Sequence, residues 1–561
     1  MQLLLFLMLL SGIAEMISVF SIIPFLEIIS NSDKFLKYEI FSFVLSNFSA
    51  KEVNLIFTLG FIFAIALATS TRILTLWINM RLSAAIGADF GYAAYRNILF
   101  KDFDFHLNLN SSSMIAIVMT KIDELIKLIV NLLSAISSSL IVFTIFIGLI
   151  IVDIKFTIGL GFCFAIGYLL IASLTKRKLS KNSKIISKAS DEKAKAVQEG
   201  LGSIREILLE GDQKRFINIY READLKRHIG RAKNTFMRSF PRFVLEGLGI
   251  ILFAIGSFVF LSISPDSAST LITLMGTLAL AASKLLPATQ SIYSGWSTIY
   301  GNSESALDVL RIIKLKQKSF PLIVKPKIKF KNISFKNVSY KYPNSNQFIL
   351  KNLNFEINSG EKLGIIGSTG SGKSTLLDLL MGLLKPTDGE ILIDGININN
   401  KKNKIQLLQW RKSISHVPQD IFLSDSSIKD NIIFGRKKDH YKSKDKSDFI
   451  NCLEVSQLKN FIQNLKDGEK TFVGERGIKL SGGQKQRIGI ARAIYKSKNI
   501  FVLDEATSAL DENTEKKFMR SLNKFYENAT LIMISHRLSS IKNLDRIIKL
   551  NDGIIDIDKN P

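Results

Sequence analysis

The sequence predicts a multidomain chain: an all-α transmembrane bundle of six helices with long cytoplasmic extensions, followed by an α/β P-loop domain. Three observations predict it. Residues 2–30 and stretches at about 53–80, 125–152, 155–175, 242–263 and 268–298 are apolar and long enough to span a bilayer once tilt and interfacial ends are allowed. Beyond residue 327 the apolar runs shorten and alternate. Gly367-Ser368-Thr369-Gly370-Ser371-Gly372-Lys373-Ser374 fits the phosphate-binding pattern G-x-x-x-x-G-K-[ST].

Bulk composition agrees. A chain of 561 residues exceeds one ordinary domain. Its 47% hydrophobic content, 39 Phe and mean hydropathy of +0.21 are high for a soluble protein. The net charge of +25 suits either nucleic acid or an anionic membrane surface, and the apolar spans favour the membrane. The clusters Lys401-Lys402-Asn403-Lys404 and Arg436-Lys437-Lys438 read as solvated loops without an aromatic stacking surface, so no nucleic-acid partner is expected. Cys163 and Cys452 form no metal-type cluster and are not expected to pair. The five histidines are scattered and suggest no zinc site.

In the first half, no basic residue precedes the run at 2–30, and the run continues past Pro24; this is a retained span rather than a cleaved signal. Lys and Arg set the orientation. The link Ser262–Ser267 has no basic residue and the link after the third span has only Lys155. Arg81, Arg96, Lys101 and Lys121 mark the link between the second and third spans, and Lys176–Arg242 is densely basic, so both long links are cytoplasmic. Glu15, Arg72, Arg242, Glu246 and Lys284 fall inside or near spans, where charge is costly and usually faces the bundle interior or a cavity. Pro287 follows Lys284 and can kink the last span. Arg72, Arg242 and Lys284 make the interior partly cationic and suggest an anionic group on the cargo. The transmembrane domain is placed at 1–312, a proline-bearing basic linker at 313–327 and the nucleotide-binding domain at 328–561.

In the second half, Leu363–Ile366 reads as a buried strand and Thr375–Leu380 as a helix, the context the phosphate loop needs. The helix amides and Lys373 meet phosphate charge and Ser374 reaches a magnesium ion. Ile500–Leu503 is an apolar strand ending in Asp504, which can hold magnesium, and Glu505, which can activate water. Leu480-Ser481-Gly482-Gly483-Gln484 opens a helix and forms a second phosphate site. Gln419 follows Val417-Pro418 and can reach the metal or water. His536 follows the strand Leu531–Ile534. Tyr342 offers a flat face for an adenine.

In this order, Tyr342, Gly367–Ser374, Gln419, Leu480–Gln484, Asp504-Glu505, Ser508-Ala509-Leu510-Asp511 and His536 resemble the A-loop, Walker A, Q-loop, signature, Walker B, D-loop and H-loop of the ABC transporter nucleotide-binding domain. A membrane half followed by an ATPase half resembles a type IV exporter half-transporter, and Val473-Gly474-Glu475-Arg476-Gly477 resembles the exporter X-loop. The resemblance implies ATP and Mg2+ as cofactors and a partner that is a second copy of the chain or a related half-transporter. Each ATP would contact Gly367–Thr375 of one chain and Ser481–Gln484 of the other. Glu505 would act as base, His536 would contact the γ-phosphate, and Ser374, Gln419 and Asp504 would hold the metal. Docking segments toward the ATPase would lie at Asn108–Ile115 and Gly211–Phe216. Family members carry a short amphipathic helix before the first span, whereas residue 1 here already lies in the span. The resemblance implies a multi-pass protein of the cytoplasmic membrane with its ATPase inside the cell.

Gly12–Glu15 through Pro24-Phe25, Pro241–Glu246 and Lys284–Pro287 resemble the lipid-linked oligosaccharide flippase subgroup. That implies ATP-driven movement of a lipid-linked glycan or related lipid or polysaccharide intermediate. Where the subgroup commonly has Arg, Lys284 keeps the charge but not bidentate phosphate recognition. The alternatives are a multidrug or general lipid exporter and, further off, an ATP-gated channel or sensor subunit.

Overall fold

A computed structural model describes residues 2–30, 50–152, 154–263, 268–315, 330–343, 345–435, 443–496, 499–537, 541 and 544–559. Most of the expected linker, the basic cluster Arg436-Lys437-Lys438 and the end of the Ser262–Ser267 link lie outside the described residues. By contact the chain forms two units, Met1–Lys101 with Leu109–Lys318, and Asp102–Asn108 with Ser319–Pro561.

The first unit is helical. It contains α1 (Gln2–Phe20), α2 (Ile22–Ser30) and α3 (Ala50–Leu99); α4 (Phe103–Asn108) belongs to the second unit. Next come α5 (Ser111–Ala116), a π-helical turn (Ile117–Lys121), α6 (Ile122–Val152), α7 (Ile154–Gly202), α8 (Ile204–Glu210), α9 (Gln213–Ile263), α10 (Ala268–Gly301) and α11 (Ser303–Lys314). Four stretches among the described residues are long and apolar enough to cross a membrane: Gln2–Leu26, Lys51–Leu99, Ser111–Ile151 and Thr157–Gly202. The fifth and sixth expected spans fall in the continuous helices α9 and α10. With 49 and 51 residues, α7 and α9 far exceed what the hydrocarbon requires. At 1.5 Å per residue they run for about 75 Å, so these helices extend well past a bilayer core of about 30 Å.

Pro241 sits inside α9 without ending it. Its missing N–H frees the carbonyl four residues back, and that oxygen, on Met237, accepts a hydrogen bond from Tyr293 Oη of α10 at 3.0 Å. Gln290 Nε2 donates to the next carbonyl, Arg238 O, at 2.6 Å. The carbonyl freed by the proline thereby helps tie α9 to α10. Lys121 is 2% exposed and lies at the end of the π turn. Its ammonium donates to Asp191 of α7 at 2.9 Å and to Asp308 of α11 at 2.7 Å, and Ser187 also donates to Asp308. A buried cation is tolerable only when paired in this way.

The second unit carries two sheets. The first is antiparallel, in the order β2 (Leu350–Asn358), β1 (Asn332–Tyr340), β4 (Asp388–Ile393), β5 (Ile396–Asn397). The second runs β10 (Ile554–Lys559), β9 (Arg546–Asn551), β3 (Lys362–Gly367), β8 (Thr530–Ile534), β7 (Ile500–Asp504), β6 (Ile414–Val417). All its pairings are parallel except β10 with β9. Its central strands are continuously apolar because both faces are covered. Successive side chains point to opposite faces: Ile500, Val502, Ile532 and Ile534 join one core, and Phe501, Leu503, Leu531 and Met533 join the other. The helices are α12 (Lys373–Leu380), α13 (Lys404–Ser413), α14 (Ile428–Ile432), α15 (Ser443–Val455), α16 (Lys459–Gln463), α17 (Gly482–Tyr495) and α18 (Glu512–Phe525).

The segment Asp102–Asn108 packs with this second unit. Phe103 lies against its core, and Asp102 pairs with Lys385 at 3.6 Å. The first docking segment was expected at Asn108–Ile115; the structure puts Phe103–Asn108 there and leaves Leu109–Ile115 with the helical unit. The anchoring aromatic, Phe103, precedes the expected position. At the second expected segment, Gly211 closes α8 with φ 73° and α9 begins at Gln213. Leu208 and Leu209, just before it, are 62% and 79% exposed.

Candidate functional site

The phosphate loop joins β3 to α12. Gly372 caps α12 at φ 99°, a left-handed conformation, and a Cβ there would lie 2.7 Å from Leu350. The far end of α12 is fixed by α13: Trp410 Nε1 donates to Leu380 O at 2.7 Å and Arg411 donates to Gly382 O. Lys373 Nζ donates to Gly367 O at 2.9 Å and Ser368 O at 2.8 Å. Burial lowers the pKa of this ammonium, against the raising effect of Glu505 and Asp504. Ser374 hydrogen-bonds the Asp504 carboxyl, whose pKa burial raises. Tyr342 Oη lies 3.2 Å from Thr375 Oγ1, so the aromatic in the link between β1 and β2 is tied to the P-loop helix.

Glu505 follows β7 with φ 48°, a left-handed conformation that costs a non-glycine residue about 1–3 kcal/mol. Its Oε2 accepts from Gln419 Nε2 at 3.0 Å, and His536 Nε2 lies 3.0 Å from its Oε1. The carboxylate therefore sits between the two polar side chains that the sequence placed at the ends of β6 and β8. Such an arrangement suits orienting a water. The oxygen donors Ser374 and Asp504 fit a hard cation such as Mg2+. No group of three or more His, Cys, Asp or Glu forms a metal cage among the described residues.

Ser481 opens α17 with a capping box: Gln484 N donates to Ser481 Oγ, and Ser481 N donates to Gln484 Oε1 at 2.8 Å. The glycines between them allow close approach of the next turn, since a Cβ on Gly483 would lie 2.9 Å from Ala509 O. Two residues that the motifs left out fix that turn. Gln486 is 6% exposed; its Nε2 donates to Ser508 Oγ at 2.9 Å and its Oε1 accepts from Ala509 N at 2.8 Å. Arg537 Nη1 donates to Leu510 O at 2.9 Å and to Glu515 at 2.8 Å, and Nη2 donates to Ser508 O at 2.9 Å. A Gln two residues past the signature and an Arg beside His536 were the available signals. Gln486→Leu strands Ser508 Oγ and the Ala509 amide, at about 1–3 kcal/mol. The expected result is a thermal midpoint several degrees lower and turnover reduced about tenfold, the scale of losing a supporting contact. Nucleotide titration of the same variant should show binding retained.

Asp378 lies on α12, and burial together with Asp504 raises its carboxyl to about 6 from 3.8. Above about 6 it is ionised in folded and unfolded states alike and its desolvation cost is fully present. As pH falls from 6 toward 4 the folded state takes up the proton first and the cost disappears. Asp378→Asn is therefore expected to raise the thermal midpoint at pH 7.5, by about 1–3 kcal/mol of stability, and to lose that gain near pH 4. Melting curves across that range check it.

In the helical unit all three expected cations are paired. Arg72 Nη1 lies 3.3 Å from Glu15 Oε1, Lys284 Nζ 2.9 Å from Glu15 Oε2, and Arg242 Nε 3.7 Å from Glu246 one turn away. A cavity of about 560 Å³ lies between α6, α7, α9 and α10. Phe146, Phe164 and Leu285 are among its mostly apolar walls, and Thr157, Tyr168, Glu246 and Thr289 are its polar points. Sequence periodicity gave no sign of this cavity.

The ABC transporter family profile matches residues 350–508. The chain is 39% identical over 215 residues to an ATP-dependent lipid A-core flippase of Methylobacillus flagellatus, covering 38% of this chain and 36% of that protein. It is 41% identical over 213 residues to ABC transporter B family member 14 of Arabidopsis thaliana, covering 38% of this chain and 16% of that protein. The match thus spans about a third or less of these relatives' lengths. A solved bacterial Atm1-family ABC exporter with ATP bound is 22% identical, with a TM-score of 0.80 over 99% of this chain and 94% of that one. That likeness gives the fold.

Proposed function

We propose that this chain, which carries an ABC transporter ATPase domain behind a membrane-spanning exporter fold, works as half of a dimer that couples ATP hydrolysis to export. Its cargo on this reading is an amphiphile with an anionic headgroup, a lipid-linked glycan or related lipid intermediate. Gly367–Thr375 of one chain and Ser481–Gln484 of the other would enclose each ATP, with Tyr342 against the adenine. Glu505, supported by Gln419 and His536, would take the proton of the attacking water. A bound Mg2+, held by Ser374 and Asp504 with Gln419 beside it, would neutralise phosphate charge. Leu208 and Leu209 beside Gly211 present an apolar surface suited to the partner's ATPase domain. Differential binding of ATP to two states would drive the helices between them.

The observation that carries the cargo class is an apolar cavity and three cationic side chains within one helical unit. The lipid A-core flippase relative supports a lipid. Glu246, the charged side chain lining the cavity, favours instead a general lipid or multidrug exporter. Reconstitution into liposomes separates the readings. ATP-dependent inversion of a lipid-linked glycan, slowed by alanine at Arg72, Arg242 and Lys284 together, is expected. Unchanged transport by the folded triple variant, or stimulation only by neutral or cationic amphiphiles, would overturn the anionic-cargo reading.

A further inference from the structure

We propose that Glu15 is a resident anion: its carboxylate engages Arg72 and Lys284, the cations that an anionic headgroup takes over when cargo loads. The inference rests on the anionic-amphiphile reading above and identifies a residue that sets its affinity.

Two cations from separate helices, α3 and α10, meet the two oxygens of one α1 carboxylate, at 3.3 and 2.9 Å. Exposure is sharply asymmetric. Glu15 is 1% exposed, whereas Arg72 is 55% and Lys284 24% exposed. The cations are reachable while their counter-ion is not. A guanidinium and an ammonium carry eight donors between them, so one carboxylate leaves most of them open. Two positive charges against one negative leave an excess of one, which draws in a second anion.

The cations are also the movable members. Thr144 Oγ1 of α6 donates to Gly12 O at 2.8 Å, and a Cβ on Gly12 would lie 3.2 Å from that hydroxyl, so α1 is packed tightly one turn from Glu15. Lys284 Nζ is close to Oε2, yet that oxygen receives no well-directed hydrogen bond. The ammonium is therefore held by charge rather than by direction, and can turn to another acceptor. Ser11, one turn before Glu15 on the same face, is 1% exposed with no partner for its hydroxyl. That hydroxyl supplies a local donor for the carboxylate once the cations turn away. Loading would then exchange a protein anion for a cargo anion and loosen the tie of α1 to α3 and α10.

The test is equilibrium binding of farnesyl diphosphate, with farnesol as the neutral control, to the full chain in nanodiscs, read by tryptophan fluorescence. Wild type is expected to prefer the diphosphate. Glu15→Gln should bind it about two- to fivefold more tightly, the scale of one competing, partly exposed ion pair, with farnesol unchanged. Glu15→Asp, one methylene shorter, should shift the same way by less, and it carries the test if the Gln variant does not fold. Diphosphate affinity unchanged or weakened in the folded variants overturns the inference and leaves the cargo reading standing. Wild type that does not distinguish diphosphate from farnesol overturns both.

Discussion

Glu505→Gln is expected to slow ATP turnover by about 10²–10⁴-fold, the usual worth of a positioned general base. The substitution keeps size and shape. A glutamine oxygen can still accept from Gln419 Nε2, which now lies 3.0 Å from the carboxylate. The neutral amide, however, cannot take the proton of an attacking water. On the proposed reading nucleotide binding rests on other groups, Gly367–Thr375 and Ser481–Gln484, and should survive. The variant is therefore expected to accumulate as an ATP-bound dimer, visible as a shift in size-exclusion chromatography with ATP and Mg2+. Phosphate release at the wild-type rate by the purified variant would remove Glu505 from this role. Loss of nucleotide binding would show instead that the Glu505 carboxylate, through Gln419 and His536, holds the site together.

What the sequence revealed about this site follows from how local its chemistry is. A phosphate loop needs its glycines, lysine and serine within eight positions of one strand–helix junction, so Gly367–Ser374 was readable without a fold. The strands Leu363–Ile366, Ile500–Leu503 and Leu531–Ile534 were readable because a parallel sheet covered on both faces demands unbroken apolar runs. The convergence of Gln419, Glu505 and His536 was not written locally. It depends on β6, β7 and β8 being neighbours, which only the sheet order fixes. Gln486 and Arg537 were missed for the same reason. Each is an ordinary polar residue on its own, and its role comes from the turn Ser508–Leu510 folding against it.

The helical unit was readable in a coarser way. Hydropathy locates spans, but it carries no information about which charges meet. Glu15 was recognisable as costly in a membrane; its partners Arg72 and Lys284 lie on other helices and become partners only through packing. Lys121 gave even less warning, since one lysine in a basic link looks solvated until Asp191 and Asp308 bury it. The docking segment shifted for a related reason. Phe103 reads as one aromatic in a polar link, and only its contact with the second core marks it as an anchor.

Lys373→Ala is expected to weaken ATP binding by about 10- to 100-fold. Hydrogen bonds to charged groups contribute about 1.5–3 kcal/mol, and each 1.4 kcal/mol is a factor of ten. The geometry adds a second effect. Lys373 Nζ now bridges Gly367 O and Ser368 O, at 2.9 and 2.8 Å, and so holds the first residues of the loop to the start of α12. Binding phosphate would have to draw the ammonium off those carbonyls. The negative charges of Asp504 and Glu505 nearby would then go uncompensated in the variant, which further disfavours an incoming polyphosphate. Burial lowers the lysine pKa below 10.5, so the ammonium is lost at a lower pH than that of a free lysine. Nucleotide affinity should accordingly fall as pH rises toward that value in the wild type and stay flat there in Lys373→Ala. Titration with a fluorescent ATP analogue at neutral and alkaline pH checks both. Equal affinities in the two proteins would mean that the backbone amides of Gly370–Thr375 alone hold the phosphates.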